Sequence, residues 1–252
     1  MTVFTATDIR AEKSRGLVAM PTIRQFRYGA DNLGYVIHGQ RSALIVDGGA
    51  AAEILRYTEG KGLEVSLVGN THGHADHTPG NAVLLQKTGA KYLAPGLLKD
   101  GSRISLGDET VGIMRTPGHT EDSICFLAGT CLISGDTLFN GTIGNCFSGD
   151  LQAFYRTVKA LMALPPETIV YAGHDYVRDS IAFARKLETE NRDLDSFLAR
   201  YDPRHVFSTI NEEFRINPYF RFNAKPMIDL LRRRNLPVAT EEERWRSLMS
   251  IE

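Results

Sequence analysis

The sequence predicts a layered α/β sandwich with two sheets, followed by a helical tail. Short apolar runs alternate with glycine-rich turns over the first two-thirds of the chain, and hairpins occur together with strand–helix pairs. The texture then changes near residue 180, where charged residues become denser. With 252 residues, of which 42% are hydrophobic, the chain has enough apolar material for a large buried core.

The predicted sheets begin with a hairpin. Residues 34–38 (GYVIH) and 43–47 (ALIVD) are strands on either side of a turn at Gly39–Ser42. A helical pattern over 51–60 ends near Gly60. The elements that follow are strand 64–69, helix 81–87 ended by Gly89, strands 111–115, 124–128 and 131–134, helix 150–163 capped by Asp150, and strand 168–171.

A domain boundary is predicted near residue 180. Residues 180–252 hold 13 basic and 12 acidic residues among 73, whereas the preceding 179 residues hold only 16 and 18. The tail shows three helical patterns, at 181–188, about 191–200 and 225–234, and no strand. We therefore expect one domain over 1–179 and a helical tail over 180–252 that docks on it, because the tail is too small and too charged to form its own core.

Composition excludes several functional classes. A net charge of −1 disfavours a general nucleic-acid binder, which needs a basic excess to neutralise phosphates. No apolar run approaches 18 residues, and the opening MTVFTATDIR has no basic segment followed by an apolar one, so neither a membrane span nor a secretory signal is expected. Three scattered cysteines form no disulfide framework. We expect a cytoplasmic protein without a nucleic-acid or membrane partner.

The strongest chemical signal is a string of four potential metal ligands after the predicted strand 64–69. These ligands are His72, His74, Asp76 and His77. On extended backbone His72 and His74 point to the same side, and the next two ligands then turn towards the adjacent space. Imidazole and carboxylate groups suit zinc, iron or manganese. A core or surface position explains an isolated histidine well, but it does not explain four such groups on one loop.

Three later loops repeat the design of a strand, a small residue and a metal-competent side chain. They present His119, Asp136 and His174, and each of these residues directly follows a glycine. Strand ends that lead into loops are the usual location of active sites in α/β folds. Four loops of this kind in one chain predict a shared metal site.

These loops resemble those of the metallo-β-lactamase superfamily, and within it the chain is similar to glyoxalase II, the hydroxyacylglutathione hydrolases. The resemblance covers nearly the whole sequence and includes GDTLF at 135–139 and GHDY at 173–176. In the tail, Ser208-Thr209, Glu212-Glu213-Phe214 and NPYFR at 217–221 resemble that family's helical segment. The ligand loops indicate the superfamily, and the tail indicates this branch.

The resemblance implies an αββα sandwich with two divalent metal ions, zinc first, with iron or manganese as alternatives. The matching positions are His72, His74 and His119 for one ion, Asp76, His77 and His174 for the other, and Asp136 as the bridge. Two nearby cations lower the pKa of a shared water and so supply a metal-bridging hydroxide at neutral pH. Asp76 is the predicted catalytic residue that positions this hydroxide for attack on a thioester carbonyl, and the thiolate is a good leaving group.

The contacts to the thiol carrier match the family only in part. In the loop after GDTLF this sequence has Asn145 where the family has a lysine, and Phe147 where it has a tyrosine. Tyr176 matches the family's tyrosine, and Arg244 either keeps one cation of a basic pair or lies in a solvated first helical turn. A charge-assisted hydrogen bond is worth roughly 1.5–3 kcal/mol, so these replacements predict weaker binding of glutathione thioesters or a different thiol carrier.

Two other functions remain open. A mononuclear-iron persulfide dioxygenase of the same superfamily would use part of this ligand set, although His77, His174 and the long tail favour two metals. A metal-binding structural or regulatory module without turnover is the third hypothesis. Asp76 argues against it, because a saturated structural site has no use for an extra carboxylate beside an open water position.

Overall fold

The computed structural model describes residues 20–251, so the opening segment MTVFTATDIR lies outside the described residues. Two mixed sheets face each other in the predicted αββα sandwich. The first sheet contains, in spatial order, β1 (Thr22–Tyr28), β2 (Asn32–His38), β3 (Ser42–Val46), β4 (Glu64–Gly69) and β5 (Lys91–Leu93). The second contains β11 (Ser208–Thr209), β10 (Ile169–Ala172), β9 (Cys131–Gly135), β8 (Ile124–Ala128), β7 (Glu109–Arg115) and β6 (Arg103–Leu106).

Eight α-helices lie within the described residues. They are α1 (Ala51–Gly60), α2 (Asn81–Thr88), α3 (Leu151–Met162), α4 (Val177–Leu187), α5 (Asp193–Arg200), α6 (Ile210–Ile216), α7 (Lys225–Arg233) and α8 (Glu241–Met249). The predicted helix signals are confirmed: Asp150 accepts a hydrogen bond from Ala153 N at 2.8 Å, and Gly89 ends α2 in the left-handed region with φ 68°. None of these helices has the length and apolar character that crossing a bilayer requires.

The alternation of side chains along the central strands explains the layers. Tyr35 and Ile37 of β2 belong to the buried cluster between the two sheets, together with Phe126 of β8. Val36, between them in the chain, belongs to a second cluster on the outer face, where it packs with Ile54 of α1. Because successive strand residues point to opposite faces, a strand covered on both sides is apolar at every position, as the run GYVIH is at most of its positions.

Strand direction brings the ligand loops to one edge of the sandwich. β3 pairs in parallel with β4, and β9 pairs in parallel with β10. β7 is antiparallel to β8, which is antiparallel to β9, so β7 ends at the same edge as β9. The loop that follows β4 joins the same edge, because Ile124 N at the start of β8 donates to the Thr71 carbonyl at 2.8 Å. The loops that follow β4, β7, β9 and β10 are the four ligand loops of the sequence, and they lie together there.

The tail is packed on both sheets. Val170 pairs with Ser208 in β11, so the prediction that the tail contains no strand was wrong. This strand has only two residues, which is too short for any sequence pattern. Across the sandwich, the Gln25 side chain of β1 pairs with both the N–H and the carbonyl of Val206, at 2.9 and 2.8 Å. Helix α4 passes through residue 180, and the division at 179 stays a proposal.

Candidate metal centre

The seven predicted ligands lie together in two adjoining groups. One contains His72, His74, His119 and Asp136, the other contains Asp76, His77 and His174, and the ligand atoms of each group lie within 4.8 Å of one another. In the first group, His74 Nδ1 is 2.9 Å from His72 Nε2 and 3.2 Å from His119 Nε2. In the second, His174 Nε2 is 3.3 Å from His77 Nε2 and 3.2 Å from Asp76 Oδ2.

Asp136 lies between the two groups. Its Oδ2 is 3.6 Å from His119 Nε2 and 3.4 Å from His174 Nε2, and its Oδ1 is 3.3 Å from His77 Nε2. Oδ1 is buried and makes no hydrogen bond within the described part of the chain. The arrangement suits a carboxylate that is shared between two cations.

Carboxylates outside the centre fix the rings of the second group. His77 Nδ1 is 3.0 Å from Asp47 Oδ2, and His174 Nδ1 is 2.8 Å from Asp31 Oδ1. A carboxylate accepts hydrogen bonds, so each Nδ1 donates its proton outwards. The Nε2 lone pair of each ring then points into the centre, as a metal ligand requires.

The first group is oriented by neutral acceptors. His119 Nδ1 donates to the backbone carbonyl of Asn145 at 2.9 Å. His72 Nδ1 lies 3.1 Å from Thr71 Oγ1, which itself donates to Asp47 Oδ2 at 2.8 Å. The Thr71 hydroxyl therefore accepts a hydrogen bond from His72 and donates one to Asp47, the same carboxylate that orients His77.

The donor set fits two cations. Inward nitrogen lone pairs face one another and carboxylate oxygens at 2.9–3.6 Å, which is repulsive unless a positive charge lies between them. Two ligands about 2.0–2.1 Å from a tetrahedral ion would lie roughly 3.3 Å apart, in the range of these separations. The buried Asp136 oxygen without a hydrogen bond gains a partner in the same way.

The pKa shifts show how the groups behave without a metal. Burial, with a smaller contribution from neighbouring His77, lowers the pKa of His72 to about 4. Burial also opposes the charged form of His77, but Asp47 and Asp136 outweigh this and raise its pKa to about 11. Burial favours the neutral acid of Asp136, yet His174 and His77 hold its pKa well below its usual range.

A sequence comparison decides the family. The sequence profile of the metallo-beta-lactamase superfamily matches residues 31–100 and 94–174, which together contain all seven ligands and most of both sheets. The chain belongs to the metallo-beta-lactamase superfamily. The four predicted ligand loops of this metallo-beta-lactamase superfamily member lie within the matched residues.

Two relatives define a branch of the superfamily. The hydroxyacylglutathione hydrolase of Maricaulis maris is 34% identical over 221 residues, which cover 79% of this chain and 86% of that protein. The hydroxyacylglutathione hydrolase of Chromohalobacter salexigens is 35% identical over 210 residues, which cover 75% of this chain and 81% of that protein. Among solved structures, ETHE1 from Myxococcus xanthus has a TM-score of 0.63 at 24% identity, covering 90% of this chain and 99% of that chain, which concerns the fold alone.

Asp76 differs from the other ligands of this superfamily centre in its exposure. Its side chain is 51% exposed, whereas those of His77 and His174 are 0% and 6% exposed. Asn32 Nδ2 donates to its Oδ2 at 3.0 Å, and the Tyr28 hydroxyl donates to its backbone carbonyl. Partial burial raises the pKa of Asp76, but Asn32 and His77 outweigh it, so the net shift is downward and the carboxylate stays ionised.

Glycines allow the loops to approach this closely. A Cβ on Gly173 would overlap Asp136 Oδ1 and lie 2.8 Å from the His77 ring. A Cβ on Gly144 would overlap the backbone carbonyl of Asp136 and lie 2.9 Å from His119 Nδ1. Gly173, directly before His174, therefore has no room for a side chain where the predicted ligands meet.

Three of the four predicted substrate contacts lie beside the ligands. Phe147 is exposed and packs edge-on against His74 and His119, with ring centroids 5.7 and 5.2 Å apart. Tyr176 stacks on His174 at 4.8 Å and 9°. Asn145 is exposed and holds His119 through its carbonyl. Their role in binding substrate stays a prediction.

The fourth predicted contact, Arg244, is used within the tail. It lies in α8, where Nε donates to Asn223 Oδ1 and Nη1 to the Val238 carbonyl, both at 2.8 Å. The three glutamates before it form the first turn of this helix, and Glu243 completes a capping box with Thr240. This geometry corresponds to the alternative in which the acidic run begins a helix.

Sequence reasoning missed the outer partners Asp47, Asp31 and Asn32. Asp47 had a weaker signal: it lies at the end of the strand ALIVD, as the ligands lie after strands, but its two glycines follow it instead of preceding it. Asp31 and Asn32 lie in the tip of the β1–β2 hairpin, which reaches His174 through the backbone bond from Leu33 N to the Gly173 carbonyl at 2.8 Å. Because β1 was not predicted, nothing in the sequence pattern indicated that this tip lies at the centre.

We expect removal of metal to lower the thermal stability of the protein. Without cations, the inward lone pairs of the two ligand groups repel, and a ligand at a hundredfold excess over its Kd stabilises a fold by about 2.7 kcal/mol. Thermal melts of chelator-treated protein, before and after zinc or manganese is added back, measure the effect. An unchanged melting temperature in all three samples would contradict binding at this centre.

Proposed function

We propose that the chain is a binuclear metal-dependent hydrolase that cleaves acyl thioesters, of the hydroxyacylglutathione hydrolase type. The observation that carries the proposal is the pair of ligand groups joined by Asp136, with the one exposed ligand, Asp76, beside them. The names of the relatives, similar over most of the chain, support the same reaction class. Zinc is our first choice of metal, with iron or manganese compatible with the same ligands.

Two bound cations would bring the pKa of a water near neutrality and polarise the thioester carbonyl. The chain supplies the geometry for this chemistry. Asn32 donates to Oδ2 of Asp76 and fixes the carboxylate, which would accept a hydrogen bond from the O–H of the attacking water. A thiolate leaves without needing a proton donor, so no further acid is required in the site.

Aromatic rings border both ligand groups. Phe147 lies against His74 and His119 of the first group, and Tyr176 lies on His174 of the second. Phe139 packs edge-on against Tyr176 at 5.0 Å and supports it. We assign Phe147 and Tyr176 to the walls that hold the acyl thioester over the metals, with Asn145 between Phe147 and His119.

A thiol carrier other than glutathione is the second candidate. The observation that favours it is the state of the two polar contacts: Asn145 is uncharged, and the guanidinium of Arg244 is occupied by Asn223 and Val238. An anionic carrier that lacks both cationic partners would bind more weakly by about 1.5–3 kcal/mol for each lost charge-assisted bond.

Metal analysis combined with substrate assays tests the proposal. About two metal ions per chain together with hydrolysis of S-lactoylglutathione supports it. Hydrolysis of other acyl thioesters at much higher kcat/KM supports the second candidate. One iron per chain with oxygen consumption on a persulfide would replace both by an oxidising enzyme, and bound metal without turnover on any of these compounds would leave a structural role.

We expect Asn145→Lys to lower KM for a glutathione thioester by about tenfold, because it adds one charge-assisted contact beside Phe147. The kcat should change little, since the carbonyl that holds His119 belongs to the backbone. Steady-state kinetics with S-lactoylglutathione measure both values. Asn145→Gln is the matched control for added length without charge, and an equal effect of both variants would place the carrier elsewhere.

A further inference from the structure

One loop connects the bridging carboxylate with the substrate side of the centre. We name residues 138–147 the collar loop; it begins two residues after Asp136 and ends at Phe147. Its Asn145 carbonyl orients His119, its Gly144 lies against Asp136, and its Phe147 covers His74. The position of this loop therefore affects a metal ligand and a substrate wall at once.

A glutamate from the tail binds the middle of the collar loop. Glu213 of α6 is completely buried, and both of its oxygens accept from Gly141 N, at 3.1 and 3.2 Å. Asn217 Nδ2 donates to the same carboxylate at 2.7 Å. Gly141 has φ 101°, a conformation that other residues rarely adopt, so this segment is shaped to present its N–H to the carboxylate.

A second link joins the same two segments. Asn140 Nδ2 donates to Ser208 Oγ at 2.8 Å and to the Val170 carbonyl at 3.1 Å. The Ser208 hydroxyl is in turn hydrogen-bonded to Glu213. Two consecutive residues of the collar loop are thus held by a buried polar network that starts in the tail.

Burial of the Glu213 carboxyl group costs free energy, and packing of the helix against the loop does not require a carboxyl group there. Burial raises the pKa of Glu213 to about 7, although Ser208, Asn217 and Gly141 act against this. The like charge of neighbouring Glu212 contributes to this rise in the pKa of Glu213. An apolar side chain would pack a helix against a loop without the desolvation penalty of a carboxyl group. The hydrogen bonds that Glu213 accepts from Gly141 N of the collar loop explain why a carboxyl group is present at this position.

We propose that Glu213 is a positioning residue, which fixes the collar loop through Gly141 so that Asn145 stays on His119 and Phe147 stays over the metal centre. The tail is then part of the active site, although it supplies none of the seven ligands. The effect on catalysis rests on the proposed function, whereas the effect on the loop does not.

The test compares Glu213→Gln with Thr209→Ala. Gln keeps the size of the side chain but replaces one of the two acceptor oxygens by an NH2 group, which cannot accept from Gly141 N or from Asn217 Nδ2. Thr209→Ala removes the N-cap of the same helix and weakens it without touching the collar loop. Amide hydrogen exchange of peptides over 138–147, the rate of metal loss to a chelator, and KM and kcat for S-lactoylglutathione are measured for both variants.

Glu213→Gln should speed exchange in the collar loop about tenfold, accelerate metal loss and raise KM more than it lowers kcat, while Thr209→Ala changes none of these at a comparable loss of thermal stability. If Glu213→Gln does not fold, Ser208→Ala tests the same network and should shift the same quantities in the same direction by less. Equal effects of Thr209→Ala and Glu213→Gln, or faster exchange without a change in KM or metal loss, would overturn the proposal. A wild-type protein that hydrolyses no thioester would overturn the proposed function. Amide hydrogen exchange of the collar loop would still test whether Glu213 fixes that loop.

Discussion

Asp76→Ala is expected to lower kcat/KM for thioester hydrolysis by about a thousandfold or more while the chain remains folded. The Oδ2 of Asp76 lies in the second group, 3.2 Å from His174 Nε2, and the half-exposed carboxylate is the group that we assign to orienting the attacking water. Its side chain is half exposed, so removing it leaves no large cavity and costs little stability. Kinetics and circular dichroism of the purified variant measure the two effects.

Two further variants show whether the loss of activity comes from the charge of Asp76 and whether it is specific to this site. Asp76→Asn retains the side-chain volume but removes the negative charge, so it separates charge from shape and should stay nearly inactive. Asp108→Ala is the control, because this exposed aspartate lies in the turn between β6 and β7, at the opposite edge of the sheet from His119. Retention of more than a tenth of the activity in Asp76→Ala would rule out the proposed role of Asp76.

Asp47→Ala should have the largest effect on stability, about 3–5 kcal/mol in the free energy of unfolding. The Asp47 carboxylate is fully buried and accepts hydrogen bonds from Thr71 N and Oγ1, from Asn70 Nδ2 and from His77 Nδ1. Its removal leaves these donors unpaired and releases both His77 and, through Thr71, His72. We therefore also expect loss of metal from both groups.

Urea denaturation of metal-free protein isolates the effect on stability, and metal analysis of the purified variant gives the occupancy. Asp47 has φ 51°, a left-handed conformation that asparagine tolerates better than alanine. Asp47→Asn therefore keeps the backbone conformation favourable and the side-chain size constant while it removes the charge. We expect this variant to retain most of the stability but to lose bound metal. A fully loaded Asp47→Ala variant of native stability would show that these contacts are dispensable.

The central strands and the ligand loops were predictable because each carries its own local pattern. Strands covered on both faces read as continuous apolar runs, such as ALIVD, and every ligand lies in a loop that follows a predicted strand. The edge strands β1, β5 and β6 were missed because exposure on one side leaves them polar or short; β1 reads TIRQFRY, with alternating exposure. Helix α6 was expected only from the family resemblance, and the start of α8 was one of two alternatives, although each helix begins with a capping box, Thr209–Glu212 and Thr240–Glu243.

The supports of the centre were less predictable than the ligands. Asp31 and Glu213 act through contacts that lie far apart in the sequence: Asp31 reaches His174 across 143 residues, and Glu213 reaches Gly141 across 72. A motif records residues that act near one another in the chain, whereas these pairs exist only because the sheets and the tail pack as they do. The tail could be recognised from its residues, but its hold on the collar loop could be found only in three dimensions.

The division of the ligands between the two sheets also sets the order of events in folding. The loop after β4 carries four ligands of the first sheet, and His174 meets His77 across 97 residues of chain. Closing so large a loop is slow and entropically unfavourable until other contacts have formed. A chain leaving the ribosome therefore exposes half a binding site well before the other half exists. Each of the two ligand groups takes residues from both sheets, so we expect the cations of the proposed centre to bind late, after the two layers have packed together.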